Sequence, residues 1–270
     1  MIDLSSGLTA QQLEAIREII IRCGEIMLKA HDIESADNIE IKPGDANFVT
    51  VYDKKVQNEL ISGLKNAVPD AVFFAEEKDN SSVDTENGFC FIIDPIDGTT
   101  NFIHDMCASA ISVGLLSDGK PYFGAIYDPY RREYFSAVAG CGAYKNGKKV
   151  SVSSRPLEKS LFSFGSSPYN KSQLADISFE KAKAIYKKTA DIRRSGSAAI
   201  DLINVACGKL DAFFEFILSP WDYAAGAVIV SEAGGKITSF DGGGLTFDKP
   251  SSMLCSNGIV HEEIRKILCE

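Results

Sequence analysis

An apolar run that ends in acid constrains this chain most. Phe89-Cys-Phe-Ile-Ile93 reads as a buried strand whose C-terminal end feeds directly into Asp94-Pro-Ile-Asp-Gly-Thr-Thr-Asn-Phe102. Pro95 stiffens the turn between the two carboxylates, and Gly98 lets the backbone come close to a ligand. If Gly98, Thr99 and Thr100 open a short helix, their N–H groups form an anion site beside Asp94 and Asp97. Carboxylates alone repel a phosphate. Carboxylates that hold a divalent cation, next to converging backbone donors, attract one.

Other acids stand at comparable places. Glu76 follows the short apolar strand Val72-Phe-Phe-Ala75, and Asp222 in Pro220-Trp221-Asp222 precedes a helix ending in Glu232-Ala-Gly-Gly235. Together they offer hard oxygen ligands for Mg²⁺. Two such ions can activate water, clamp phosphoryl oxygens and stabilise a departing alkoxide. Singly, each acid has a plainer reading: Asp222 as a helix cap, Glu76 and Glu77 as a solvated loop start, Asp94 and Asp97 as turn formers. The motif as a unit is hard to explain by turn chemistry.

The bulk properties exclude several classes. The net charge is −9, with no Lys/Arg-rich block, so nucleic acid and anionic membrane surfaces are not expected partners. A negative protein that binds a phosphate ester needs local positive charge, which again points to a metal. The first 30 residues have no continuous apolar core, and no stretch reaches the roughly 18 apolar residues of a membrane span. The 7 cysteines lack any CxxC spacing and read as reduced thiols of a cytoplasmic protein. The 3 histidines are not at metal-binding spacing, so zinc is not expected.

Thr9 with Gln12 forms a capping box for a first helix over about residues 10–30. A loop is expected over 42–47, a helix near 53–66, and a dense run of strands from 89 to a hairpin at Asn146-Gly147. Beyond a Ser-rich junction at 151–159, the pattern predicts strands at 161–165, 212–216 and 236–239. Helices are predicted at 170–188, 197–207, 222–233 and from 260 onward. We read one α+β unit over residues 1–270, with a subdomain border near 150.

These motifs resemble those of the inositol monophosphatase family, within the wider superfamily of metal-dependent, lithium-sensitive sugar and nucleotide phosphatases. The resemblance rests on Ala75-Glu76-Glu77, Asp94 to Phe102, and Trp221-Asp222 through Gly235. Lys42, Val49-Thr50, Asp53, Gly142-Ala-Tyr, Asn146-Gly147 and Gly196-Ser-Ala-Ala199 support it. It implies a layered αβαβα sandwich, commonly a homodimer. By the same resemblance Glu76, Asp94 and the Ile96 carbonyl hold a first Mg²⁺, and Asp94, Asp97 and Asp222 a second. Thr99 orients the attacking water, and the N–H groups of Gly98 and Thr99 take phosphate oxygens. Asp97, Ser197, Ala198 and Glu215 touch the alcohol, while Lys42 and Asp53 match a loop and helix associated with a third, weaker metal.

The implied activity is hydrolysis of inositol 1-phosphate or a related small polyol or sugar phosphate. Fructose-1,6-bisphosphatase, histidinol-phosphate phosphatase and phosphoadenosine-phosphate phosphatase are alternatives, as is an inactive phosphatase-like binding subunit. Thr100-Asn101 favours the inositol branch, and the retained acids disfavour the inactive reading. Ala75 stands where the family usually has glycine. Leu218-Ser-Pro220 and His104-Asp-Met-Cys107 also differ, where substrate or dimer contacts are expected.

Overall fold

The computed structural model describes residues 7–42 and 48–270; the loop expected over 42–47 lies outside the described residues apart from Lys42. Helix α1 (Ala10–Leu28) opens with the expected box: the Thr9 hydroxyl accepts from the Gln12 N–H, and the Gln12 side chain accepts from the Thr9 N–H. Its buried stripe of Ile16, Ile20, Cys23 and Met27 faces the core. A short pair, β1 (Ile39–Ile41) and β2 (Phe48–Thr50), leads into α2 (Val51–Ala67). This helix starts earlier than the apolar spacing predicts, because Thr50 and Asp53 form a second capping box.

The next seven strands form one sheet: β3 (Val72–Ala75), β4 (Phe89–Asp97), β5 (Ala110–Ser117), β6 (Lys120–Asp128), β7 (Glu133–Val138), β8 (Ala143–Lys145) and β9 (Lys148–Lys149), in that order. The helix α3 (Thr99–Ile103) lies between β4 and β5. Only β3 runs parallel to its neighbour within this sheet. Asn146-Gly147 forms the tip joining β8 to β9, with both residues at positive φ, as the sequence predicts.

The chain then passes into a second, five-stranded sheet. Its elements are β10 (Leu161–Phe164), α4 (Lys171–Tyr186), β11 (Asp191–Arg193), α5 (Ala198–Ala206), β12 (Ala212–Leu218), α6 (Pro220–Glu232), β13 (Lys236–Thr238), β14 (Ser251–Ser256) and α7 (His261–Cys269). The strand order is β11-β10-β12-β14-β13.

Side-chain alternation builds the layers. Phe91 and Ile93 of β4 join α1 and α2 in one core, while the intervening Ile92 points to the other face. In β12, Phe213 packs toward α5 and α6, whereas Ala212 and Phe214 pack toward α4 and α7. The middle core contains residues of both sheets with α5 and α6 between them. The sequence of layers is therefore helices, sheet, helices, sheet, helices, as expected. Gly124 permits the close approach of α6 to the first sheet, since a Cβ there would lie 2.3 Å from the Ala225 carbonyl oxygen. All 7 cysteines are unpaired, and no helix of the described residues is long and apolar enough to cross a membrane.

Candidate active site

A bulge at the end of β4 aims the two carboxylates. In a regular strand, residues three apart face opposite sides of the sheet. Here Asp94 pairs with Ser112 and Asp97 with Ala110, so β4 spends one residue more than β5 over this stretch. The extra residue restores both side chains to one face. Asp94 also accepts from the Ile96 N–H at 3.0 Å, which pins the bulge. Gly98 then takes φ +87°, a left-handed conformation that ends the strand and opens α3 at Thr99.

On that face Asp94, Asp97 and Asp222 each place a carboxylate oxygen within 4.8 Å of the others. Asp222 arrives from α6, which begins with Ser219 as its cap and Pro220 in its first turn. One Asp222 oxygen accepts from the Ser219 N–H at 2.7 Å. The sequence reading of Asp222 as a capping residue and the reading as a ligand are therefore both compatible with its position. Glu76 follows β3, the strand beside β4, and its N–H donates to the Ile93 carbonyl at 3.1 Å, one residue before Asp94. Glu76 and Glu77 are not a solvated loop start: their side chains keep only 15% and 5% of their exposure, and Lys42 Nζ lies 3.6 Å from Glu76 and 2.5 Å from Glu77.

Burial first, and then mutual repulsion, raises the Asp94 and Asp222 pKa values far above the usual carboxylate range. Burial likewise raises Glu76, with Lys42 opposing and Glu77 reinforcing the shift. Asp97 is raised by burial against hydrogen bonds from Ser197 and from Ala199 N–H, the latter at 2.8 Å. Lys42 is destabilised as a cation by its own burial, but Glu76 and Glu77 outweigh this and raise its pKa. A cluster of oxygen donors held this close needs a compensating cation, and the donor set suits a hard divalent ion.

Thr99 is buried, with its hydroxyl 3.3 Å from Asp53 Oδ1 and 3.2 Å from the Ile96 carbonyl oxygen. Asp53 is fully buried and raised to about 6, chiefly by desolvation and against hydrogen bonds from Thr50. It turns toward Thr50 and Thr99, while Lys42 turns toward the glutamates.

The remaining expected residues come from the second sheet. Ser197 caps α5, its hydroxyl accepting from Ile200 N–H while donating to Asp97; Ala198 is the next residue. Glu215 sits on β12, the middle strand of its sheet, and is 7% exposed, so it lies inside the sheet and not on a solvated edge. Burial raises its pKa to about 7, against hydrogen bonds from the Ser167 N–H and hydroxyl at 2.8 and 3.2 Å.

Sequence reading missed the loop after β10. A Cβ on Gly165 would lie 1.8 Å from the Glu215 carboxylate, so the glycine makes room for that side chain. Ser167 holds Glu215, Tyr169 places its phenol in the field of Glu76, Asp222, Asp94 and Asp97, and Arg194 donates to Ser166 Oγ at 2.7 Å. Asp201 lies buried behind Asp97, bonded by Ser163 and raised by desolvation to about 7. The sole local signal was Gly165-Ser-Ser-Pro168 directly after an apolar strand.

Comparisons with known proteins show what the whole chain is similar to. A family model described as the inositol monophosphatase family matches residues 9–270. An inositol-1-monophosphatase of Synechocystis is 38% identical over 231 residues, which are 85% of this chain and 79% of that protein. A protein named Nus factor SuhB from Escherichia coli K12 is 37% identical over 218 residues, 80% of this chain and 81% of its own. The solved structure of an IMPase from Thermotoga maritima matches with a TM-score of 0.85 and 31% identity, covering 96% of this chain and 97% of that one.

Proposed function

The chain belongs to the inositol monophosphatase family, and we propose that it is a Mg²⁺-dependent phosphatase acting on inositol 1-phosphate or a related small polyol or sugar phosphate. The convergence of Asp94, Asp97 and Asp222 within 4.8 Å carries this reading. Glu76, Asp94 and the Ile96 carbonyl would hold one ion, and Asp94, Asp97 and Asp222 another. The ions would supply Lewis acidity toward the phosphoryl group and stabilise negative charge on the leaving oxygen.

The chain's own groups do the rest. Asp53, with its raised pKa, is basic enough near neutrality to draw the Thr99 hydroxyl proton toward itself, leaving the Thr99 oxygen to accept from a water and orient it. The N–H groups of Gly98 and Thr99 have no intrahelical acceptor at this helix start and would receive phosphoryl oxygens. Asp97, Ser197 and Ala198 would border the alcohol. Glu215, pinned by Ser167 through one oxygen, keeps its other oxygen for a substrate hydroxyl. Lys42 would neutralise part of the charge on Glu76 and Glu77, and with Asp53 border a third, weaker cation.

The family resemblance also supports a homodimer, lithium inhibition, a cytoplasmic location and a single domain over residues 1–270. Phosphate release should be screened across inositol, sugar, histidinol and phosphoadenosine phosphates, with Mg²⁺ and after chelation. We expect turnover only with metal, and fastest on a polyol ester. Full activity after exhaustive chelation would overturn the mechanism. The similarity to a protein named a Nus factor carries a second reading, a non-catalytic binding role, and no release from any ester with Mg²⁺ present would favour it.

A further inference from the structure

On the face of the first sheet opposite the acid cluster, α1 and the β8–β9 hairpin border a cavity of about 490 Å³. The register separates the two places: Asp94 pairs through Ser112 to Ile126 on one face, whereas Tyr127 and Tyr134 pair with each other on the other. Arg17 and Ile21 of α1, Tyr127, Arg132, Tyr134, Asn146 and Gly147 line it. Its size is that of a small-molecule site.

The lining is rich in donors. Tyr127 and Tyr134 are 4% and 6% exposed, and their hydroxyls have no hydrogen-bond partner among the described residues. They are not sealed off either, since Ser178 Oγ is the one fully enclosed and unpaired side-chain atom among those residues. Both phenols line this cavity, and Tyr134 also borders a neighbouring one. The Arg17 guanidinium lies 5.8 Å from the Tyr134 ring centre, with one nitrogen on Glu14 at 2.8 Å. Arg132 has no carboxylate partner among the described residues, whereas neighbouring Arg131 pairs with Asp128. Asn146 offers little acceptor capacity, because its oxygen takes the Tyr134 N–H at 2.8 Å and its nitrogen donates to the Arg132 carbonyl. Glu14 and Glu25 are close by on α1, but neither lines this cavity.

Two guanidiniums and two unpartnered phenols call for an acceptor-rich guest. We propose that this cavity is a second, non-catalytic binding site for a small molecule bearing an oxyanion, either phosphate or carboxylate. Arg17 from α1 and Arg132 from the β6–β7 connection hold the anion, and Tyr127 and Tyr134 donate to it.

Calorimetric titration of the full-length protein with inorganic phosphate and with citrate, after the metal has been stripped and the chelator dialysed away, tests the site. Without metal the acid cluster repels anions, so the titration reports the cavity. We expect saturable binding of at least one of the two, and the tighter one identifies the oxyanion. Arg132→Gly should weaken it roughly tenfold or more, the loss of one charge-assisted pair. Glycine suits the φ of +52° at this position, so the variant should fold. Tyr134→Phe should weaken binding less, and Arg132→Gly should leave Mg²⁺-dependent phosphatase turnover unchanged. Binding that Arg132→Gly does not alter, or no binding of either anion by the wild-type protein, would overturn the proposal.

Discussion

The two walls of the candidate active site are assembled in different ways. The wall proposed to face the metal is local: Asp94, Ile96, Asp97, Gly98 and Thr99 leave one strand end within a few residues, and Glu76 and Asp222 join from flanking elements. The wall proposed to face the alcohol comes from the second sheet, where the loop after β10, the start of α5 and the middle strand β12 each add one or two groups. The first wall is a cluster of like charges that a cation must reconcile. The second is a set of acids already tied down by hydroxyl and N–H donors. Hydrolysis should therefore depend steeply on the first wall, and choice of alcohol on the second.

Asp97 stands on both walls, and its replacement is expected to have the largest effect. Asp97→Asn removes a charge from the proposed metal site, and turnover should fall at least about 100-fold, the scale reached even by outer groups of metal sites. Near wild-type turnover would reduce Asp97 to a turn residue. The same variant reports on the strain of the metal-free cluster. Folded pKa values for Glu76, Asp94, Asp97 and Asp222 lie above their unfolded values, so ionisation opposes folding. That penalty is full above the folded values and absent below the unfolded ones. In EDTA the melting temperature should thus rise as the pH falls from about 7 toward about 4. Asp97→Asn should flatten that rise, and thermal scans against pH would measure it.

Thr99→Ala probes the local wall with less violence. The backbone N–H survives, while the hydroxyl between Asp53 and the Ile96 carbonyl is lost. Turnover should drop by about 10²–10⁴-fold with little change in KM, the range of positioned proton-transfer groups. Unchanged turnover with a much higher KM would make the hydroxyl a binding group and shift Thr99 to the second wall.

This division also marks what could be read from the sequence. The Asp94–Phe102 stretch carries acids, glycine and helix start in one continuous segment, so its chemistry is legible, although the expected turn at Pro95 is a bulged continuation of β4 through Asp97. Thr9-Gln12 and Asn146-Gly147 are legible for the same reason, since each bond closes within a few residues. The bulge that lets Asp94 and Asp97 share a face is not legible, because it exists only in register with β5. Gly165 and Ser167 matter through Glu215, some fifty residues distant in the chain, and no local pattern records that pairing. Strand β14 escaped for a similar reason. Ser-Ser-Met-Leu-Cys-Ser lacks a strong alternating signal, and its place between β12 and β13 is decided by the sheet it joins.

Glu215→Ala tests the second wall directly. The carboxylate should contribute more to an ester with vicinal hydroxyls than to a simple alkyl phosphate. One hydrogen bond to a charged group is worth about 1.5–3 kcal/mol, so kcat/KM for inositol 1-phosphate should fall by roughly 10–100-fold. The simple ester should change little. Equal losses on both substrates would assign Glu215 a structural or metal-linked role and erase the proposed division between the walls.

The smallest expected effect separates holding Glu215 from folding the loop. Ser167 takes φ +44° and ψ 63°, a left-handed conformation that costs a residue with a Cβ about 1–2 kcal/mol. Its N–H and its hydroxyl both donate to one Glu215 oxygen. Ser167→Ala keeps the backbone cost and loses the hydroxyl bond, so the melting temperature should drop slightly. Ser167→Gly loses the same bond but relieves the backbone, and the two terms of roughly 1 kcal/mol each should nearly cancel. Both variants free Glu215 equally, so both should lower kcat/KM for the polyol ester by a similar few-fold factor. If the glycine variant keeps full polyol specificity while the alanine variant loses it, backbone strain at Ser167 governs the wall and the hydroxyl does not. If both lose specificity alike while their stabilities differ, the Ser167 hydroxyl acts by fixing the carboxylate, as the geometry of the second wall requires.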